Sequence, residues 1–136
     1  DLGSQDLDAI VATVAMQVPP TYTLKSFVIN SGNIITSMAH IVLLKNGEEV
    51  QGFSMGDGPI DAAFLSIENI VGRHFELDDF QITAVTEGRE AVGSGIVRLR
   101  SNGKLYSGKG ISTDVIGASI RAYVDALNKI CYEENN

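Results

Sequence analysis

Two glycine pairs, Gly56-x-Gly58 and Gly108-x-Gly110, have the residue types and spacing best suited to ligand chemistry in this chain. Each pair is predicted to lie between a strand and a helix. Glycine lets the backbone turn sharply and lets a ligand approach closely. The helix that follows offers unpaired N–H groups and the positive end of its dipole. The pattern therefore predicts an anion-binding elbow in each half, and the alternative interpretation is a tight turn that serves packing alone.

Other site chemistries find little support. The pairs lack the third glycine, the βαβ order and the acidic residue of a dinucleotide site. His40 and His74 have no cysteine or carboxylate at metal-ligand spacing, and no serine lies in a nucleophile elbow. The acidic pair Asp78-Asp79 could hold a cation, but the pattern favours a solvated loop. We predict no catalytic residue, no metal site and no cofactor in this chain.

A small carboxylate fits the glycine elbows better than a nucleotide does. An amino acid would place its carboxylate at the helix N-terminus and would need apolar walls for its side chain. Leu77, Phe80, Ala84 and Ala91 follow the first predicted helix and could supply those walls. Periodicity alone favours ordinary core packing for these four residues, so both interpretations stay open.

An internal repeat positions these residues. At an offset of 56 residues, Asn46-Gly47 falls on Asn102-Gly103, and Gly52 falls on Gly108. Asn-Gly between apolar runs is the strongest short signal for a β-hairpin. Each copy reads as strands, a glycine-rich elbow and a helix. The repeat therefore predicts an α+β fold of two βββα units related by pseudo-twofold symmetry, and a symmetric seam of the kind that binds ligands and partners.

Predicted elements give the boundaries of these units. A short linker helix is expected over residues 5–17, and Pro19-Pro20 ends it, so residues 1–20 read as a linker. Residues 21–136 form the main domain, with repeats at about 21–72 and 77–131. Ser31-Gly32-Asn33 is the predicted turn after the first strand. Pro59 is expected at the first helical position and Gly72 at the C-cap, while Ser112-Thr113-Asp114 supplies the second N-cap.

Composition narrows the class of protein. The chain has 136 residues, enough for one domain, and a formal net charge of −7, which argues against nucleic-acid binding. Its apolar runs are too short to span a membrane. Cys131 is the single cysteine, so no internal disulfide forms and a reducing, cytoplasmic location is expected. The absence of an initial methionine suggests an excised piece of a longer protein.

Three stretches carry a resemblance to a known family. They resemble the C-terminal regulatory domain of 2-isopropylmalate synthases, which also occurs in citramalate synthases, over roughly residues 20–131. The stretches are Gly56-Asp57-Gly58-Pro59-Ile60-Asp61-Ala62-Ala63, Leu77-Asp78-Asp79-Phe80 followed by Ala84-Val85-Thr86-Glu87-Gly88, and Tyr106-Ser107-Gly108-Lys109-Gly110-Ile111-Ser112-Thr113-Asp114 followed by Ala118-Ser119 and Ala122-Tyr123.

This resemblance implies two βββα units and a homodimer whose interface binds the end product of the pathway. It implies that the catalytic part, a metal-dependent barrel that condenses acetyl-CoA with a 2-oxo acid such as 2-oxoisovalerate, lies upstream. The domain itself would then be a non-catalytic part of an acyltransferase, and the divalent metal would belong to the barrel. No nucleic-acid or membrane partner is implied.

The resemblance also assigns an effector site by matched position. Phe80 departs from the family pattern, in which tyrosine is common. This position therefore has no hydroxyl to form a hydrogen bond, while the shape of the wall is expected to persist. The residues assigned to effector binding are Gly56, Gly58, Ile60, Ala62, Leu77, Phe80, Ala84, Ala91, Gly93 and Ile111.

Three functions remain in competition. The first is a leucine-binding regulatory and dimerisation domain of a 2-isopropylmalate synthase that serves feedback inhibition. The second is the same domain in a citramalate synthase, sensing isoleucine. Leucine and isoleucine are isomers, and pocket shape separates such ligands by only about 1–3 kcal/mol. The third, of another class, is a structural dimerisation domain without a ligand.

Overall fold

A computed structural model describes residues 18–31, 36–87 and 90–135. The chain divides into two compact units, one of residues 21–75 and one that includes the chain from residue 76 onward. The predicted linker helix over residues 5–17 and the predicted turn at Ser31-Gly32-Asn33 fall on residues outside the described ranges. None of the helices described is both long enough and apolar enough to cross a membrane.

The first unit is a three-stranded antiparallel sheet followed by a helix. Its strands are β1 (Tyr22–Asn30), β2 (Ser37–Lys45) and β3 (Glu48–Gly56), in the order β1-β2-β3, and its helix is α1 (Pro59–Val71). α1 packs mainly on β3 and β2. The core of this unit lies under the helix, where Ile41, Leu43 and Ile67 are fully buried.

The second unit repeats that order. Its strands are β4 (Glu76–Glu87), β5 (Glu90–Ser101) and β6 (Lys104–Ser112), in the order β4-β5-β6, and its helix is α2 (Val115–Glu134). α2 packs on β6 and β5, above the fully buried Val97 and Leu99. The predicted α+β fold of two βββα units is therefore confirmed.

Local sequence signals explain most element boundaries. Asn46 and Gly47 have φ of 51° and 88°, and Asn102 and Gly103 have 53° and 76°, as a tight hairpin turn requires. Pro59 opens α1 where its missing N–H costs no hydrogen bond. Gly72 ends α1 in the left-handed conformation at φ 78°, which the predicted C-cap anticipates.

The second glycine pair is not an elbow, and that prediction was wrong. Gly108 and Gly110 lie inside β6, where a Cβ would collide with the backbone of α2 at Ala122. Glycine is needed there because the helix axis lies so close to the strand. Gly52 in β3 plays the same part beneath Ser66 of α1. The strand-to-helix elbow of the second unit is instead Ser112-Thr113-Asp114, which matches residues 56–58 of the first unit at the offset of 56.

Candidate functional site

The first elbow joins β3 to α1 and leaves its helix without a side-chain cap. Gly58 is the N-cap residue, and no side chain accepts a hydrogen bond from the first turn. Ala62 N donates to Gly58 O at 2.9 Å, which is the first intrahelical bond. The N–H groups of Ile60 and Asp61 precede that bond, so they are available to an outside acceptor. This elbow can therefore receive an anion.

Space at the first elbow is open on one side and closed on the other. A Cβ built on Gly58 meets no atom within 4 Å, whereas one built on Gly56 comes within 2.7 Å of Asp61 Oδ2 and closer still to Ala62 N. Gly56 therefore lets the strand end pack against the helix. Gly58 has φ −156°, which is extended backbone that any residue adopts, so its backbone conformation does not require glycine. Its lack of a side chain matters for access to the amides.

A carboxylate lies beside these amides. Asp61 is exposed in the first turn of α1, and its Oδ2 accepts from Asp57 N at 2.9 Å. Negative charge in the first turn is stabilised by the helix dipole. The elbow thus presents N–H donors and a carboxylate together, which are the two groups that a zwitterionic amino acid needs for its charged ends.

The second elbow holds its own anion. Asp114 is the N-cap of α2, and its Oδ1 accepts from Gly117 N at 2.5 Å. Ser112 Oγ contacts the other carboxylate oxygen at 3.4 Å. A ligand carboxylate would have to displace Asp114 here, so only the first of the two elbows is open to one.

Register places most of the other predicted effector residues on one face of the second sheet. Leu77 is opposite Leu99, Phe80 opposite Val97 and Ala84 opposite Gly93. Ala91 lies two residues before Gly93 on β5, so its position in the register belongs to the same face. Because Val97 and Leu99 are buried under α2, this is the face that the helix covers.

Strand β4 extends past the helix on that face. α2 packs on β5 and β6 rather than on β4. Leu77 is 44% exposed, and Phe80 and Ile82 are half-buried. These three side chains form an uncovered apolar strip, which fits the predicted wall for an apolar ligand. Ile111 is opposite Ser94 and lies on the other face, 57% exposed, so register separates it from this group.

Sequence reasoning missed a second strip of the same kind. Leu24, Phe27 and Ile29 on β1 repeat the spacing of Leu77, Phe80 and Ile82 on β4. Each strand has a β-bulge directly after its leucine, between Leu24 and Ser26 and between Leu77 and Asp79. The signal was present as L-x-x-F-x-I in both halves, but it repeats at an offset of 53 rather than 56.

The remaining candidates have ordinary structural partners. His40 Nε2 lies 2.9 Å from Gln51 Oε1, and His74 Nδ1 lies 2.9 Å from Glu68 Oε2. Asp78 pairs with Arg100 and Asp79 with Arg98, so the acidic pair is engaged in strand-to-strand ion pairs. Over the described ranges, no group of three or more His, Cys, Asp or Glu side chains could hold a metal ion.

The shifted ionisable groups lie on α2 and β6. Burial lowers the pKa of Lys129, whose Nζ donates to Ser107 O at 2.6 Å, and the charge of Asp125 partly opposes that shift. Burial, followed by the neighbouring Glu133, raises the pKa of Tyr106 to about 12. Hydrogen bonds from Lys104 and Tyr106 lower the pKa of Glu133. These groups pin α2 to the sheet of its own unit.

Comparisons with known proteins identify the family of this chain. The family model described as the LeuA allosteric (dimerisation) domain matches residues 1–131. A 2-isopropylmalate synthase of Carboxydothermus hydrogenoformans is 38% identical over 134 residues, which cover 98% of this chain and 26% of that protein. Those of Ruminiclostridium cellulolyticum and Chromobacterium violaceum are 40% and 38% identical, over 92% and 98% of this chain and 24% and 26% of theirs.

Proposed function

The chain belongs to the LeuA allosteric (dimerisation) domain family, and from this premise we propose that it binds L-leucine as the feedback regulator of a 2-isopropylmalate synthase. It spans about a quarter of the length of the curated relatives it matches. The condensation of acetyl-CoA with 2-oxoisovalerate is therefore assigned to a part of the enzyme outside this chain. The domain contributes regulation and homodimer formation, with leucine bound at the dimer interface.

The difference between the two elbows is the observation that carries this proposal. Gly58 leaves the first-turn amides of α1 open, whereas Asp114 occupies those of α2 with its own carboxylate. Charge-assisted bonds to backbone N–H groups are about twice as strong as neutral ones. A leucine carboxylate bound at the first elbow would take the place that Asp114 fills in the second. The Asp61 carboxylate beside it offers a partner for the ammonium group.

Within the second unit, β4 has apolar surface that an aliphatic ligand side chain could contact. Leu77 and Phe80 are incompletely covered by α2, and Gly93 on β5 has no side chain to fill the space next to them. A Cβ on Gly93 would make only ordinary contacts of 3.6 Å or more within the protein. Gly93→Ala should therefore fold normally and reduce the space for a ligand.

Calorimetric titration with leucine, isoleucine and valine tests the proposal. We expect leucine to bind most tightly and to raise the melting temperature by mass action. Gly58→Ala should weaken leucine binding at least about tenfold, or about 1.4 kcal/mol. Its cost in stability should stay below about 1 kcal/mol, because no protein atom opposes the new methyl group, although alanine is a poorer N-cap than glycine. Thr113→Ala, in the second elbow, is the matched control and should bind leucine normally.

Each other outcome has a defined meaning. Tighter binding of isoleucine favours the citramalate synthase alternative. Failure of all three amino acids to bind favours a structural dimerisation domain. Unchanged affinity in Gly58→Ala means that the first elbow is a turn and not a ligand site. We expect no acyl transfer from this chain with acetyl-CoA and a 2-oxo acid, and turnover in a clean preparation contradicts the assignment of catalysis to another part of the enzyme.

A further inference from the structure

The sheet of residues 21–56 has an exposed apolar face on the side away from α1. Register aligns Val28, His40 and Phe53 in one row across the three strands, and Asn30, Met38 and Met55 in the next. Val28 is 58% exposed, Phe53 55% and Met55 58%. We call the surface of these two rows the open face. Large apolar side chains gathered on one surface mark interaction sites more often than scattered ones do.

The second unit provides an internal reference for this face. The matching rows there are Gln81, Ile96 and Lys109, and then Thr83, Ser94 and Ile111. The next row along carries the ion pair of Asp79 with Arg98 at 2.6 Å. The same fold in the same chain thus has a largely polar surface at the positions where the first unit has valine, phenylalanine and methionine. The fold does not require the apolar residues, so another requirement accounts for them.

The absence of charge on the open face indicates which partner it suits. The two rows of the open face contain no acidic or basic residue other than His40, although the whole chain has a net charge of −7. In a symmetric dimer the same patch meets itself, so any net charge on it is placed against like charge. A neutral patch on an acidic protein therefore suits a second copy of the same chain. The ion pair of Lys25 with Glu49 lies beyond the central row, toward the edge of this face.

Backbone geometry favours contact through the face rather than along the sheet edge. Asn69 Nδ2 of α1 donates to Phe53 O at 2.9 Å, which occupies a carbonyl on the free side of β3. An incoming strand would have to displace that amide in order to extend the sheet. The side chains of Phe53 and Met55 are exposed on the face itself.

We propose that the open face, centred on Val28, Phe53 and Met55, is where two copies of this chain meet. The inference rests on the proposed function, since a regulatory domain of this family acts as a homodimer, and it adds which surface forms the contact. Met55 immediately precedes Gly56, so the contact extends to the first elbow. Dimer formation and ligand binding are thereby neighbours on the same strand end.

Sedimentation equilibrium of the 136-residue chain tests this inference with matched variants. Phe53→Glu and Val28→Glu place like charges against each other in the dimer, and each should raise the dimer dissociation constant at least about 30-fold. Lys109→Glu and Gln81→Glu make the same change at the equivalent positions of the second unit and should leave it within about threefold. Circular dichroism and melting temperature establish that each variant is folded, and variants on two different strands guard against the misfolding of one.

The outcomes separate this inference from the proposed function. A dimer that persists in both folded open-face variants overturns the choice of surface and leaves leucine regulation intact. Equal dissociation in Lys109→Glu also overturns it, because the effect would then be one of general charge. If the wild-type chain is monomeric at about 100 µM, both the inference and the homodimer are overturned. Leucine binding is measured separately by calorimetry.

Discussion

The two βββα units share the packing of helix on strand but differ at two solvent-exposed places, the start of the helix and the outer face of the sheet. In both, a glycine of the third strand, Gly52 or Gly108, lies beneath the helix backbone. At the helix start, however, the first unit has Gly58 and no side-chain cap, whereas the second has Asp114 in a tight cap. Close packing has little tolerance for change. The helix start and the outer sheet face are less constrained by packing, so we expect the functional differences between the units to lie there.

The largest effect should come from filling the shared contact under the helices. Gly108→Ala places a methyl group against Ala122 O and Ala126 N, both backbone atoms of α2, so the helix must move. We expect a loss of about 3 kcal/mol in the free energy of unfolding. Gly52→Ala should cost less, about 2 kcal/mol, since two of its three nearest contacts are atoms of the flexible Ile70 side chain.

Urea unfolding followed by circular dichroism measures both changes, with Gly58→Ala as the unstrained control. Amide hydrogen exchange should show increased local unfolding in β6 and α2 for Gly108→Ala, and in β3 and α1 for Gly52→Ala. If Gly108→Ala is no less stable than Gly58→Ala, the close approach of α2 to β6 is not a tight contact.

The second-largest effect concerns Lys129, which has no buried counterpart in the first unit. Its side chain is 1% exposed and bonds Ser107 O, whereas Arg73, at the matching position 56 residues earlier, is exposed over the ring of Phe75. Lys129→Ala should cost about 2–3 kcal/mol through the cavity and the lost partner of a buried carbonyl. Arg73→Ala should cost less than about 1 kcal/mol. Equal losses in chemical denaturation would remove this difference between the units.

The charge of Lys129 predicts a pH dependence with a definite sign. Burial lowers its pKa below 10.5, so the unfolded chain binds a proton more readily than the folded one between the two pKa values. The free energy of unfolding should therefore rise with pH as pH approaches 10. Lys129→Met, which keeps most of the side-chain volume, should abolish that rise. The opposite trend is expected above pH 10, because Tyr106 has its pKa raised to about 12.

Local chemistry explains what the sequence could reveal. Asn-Gly turns, Pro59 at the helix start and Gly72 at its end each depend on a few adjacent residues, and all three were confirmed. Gly108 and Gly110 misled because glycine suits both an elbow and a strand beneath a helix. The neighbour that decides between these lies on α2, which is distant in sequence.

Strand register, which depends on residues distant in sequence, explains which features of the site could not be predicted from the sequence. The separation of Ile111 from Leu77 and Phe80 depends on strand pairing, which reverses the face of a side chain with a shift of one residue. The bulges after Leu24 and Leu77 alter that count again. Burial of Lys129 also ran against the usual preference of lysine for solvent. The effector residues carried over from the family resemblance remain predictions until a ligand is titrated.

The smallest change in stability should accompany the most informative change in binding. Gly58→Asp gives the first elbow the cap of the second, and an aspartate in place of glycine at an N-cap alters stability by only a few tenths of a kcal/mol. The new carboxylate should bond the first-turn amides as Asp114 bonds Gly117 N. Leucine would then meet an occupied site and like charge, so calorimetry should detect no binding. Gly58→Asn caps the same amides without a charge and should weaken binding by less, while Asp114→Asn should leave it unchanged. Full leucine affinity in Gly58→Asp would mean that the open cap of α1 is not what distinguishes the two units.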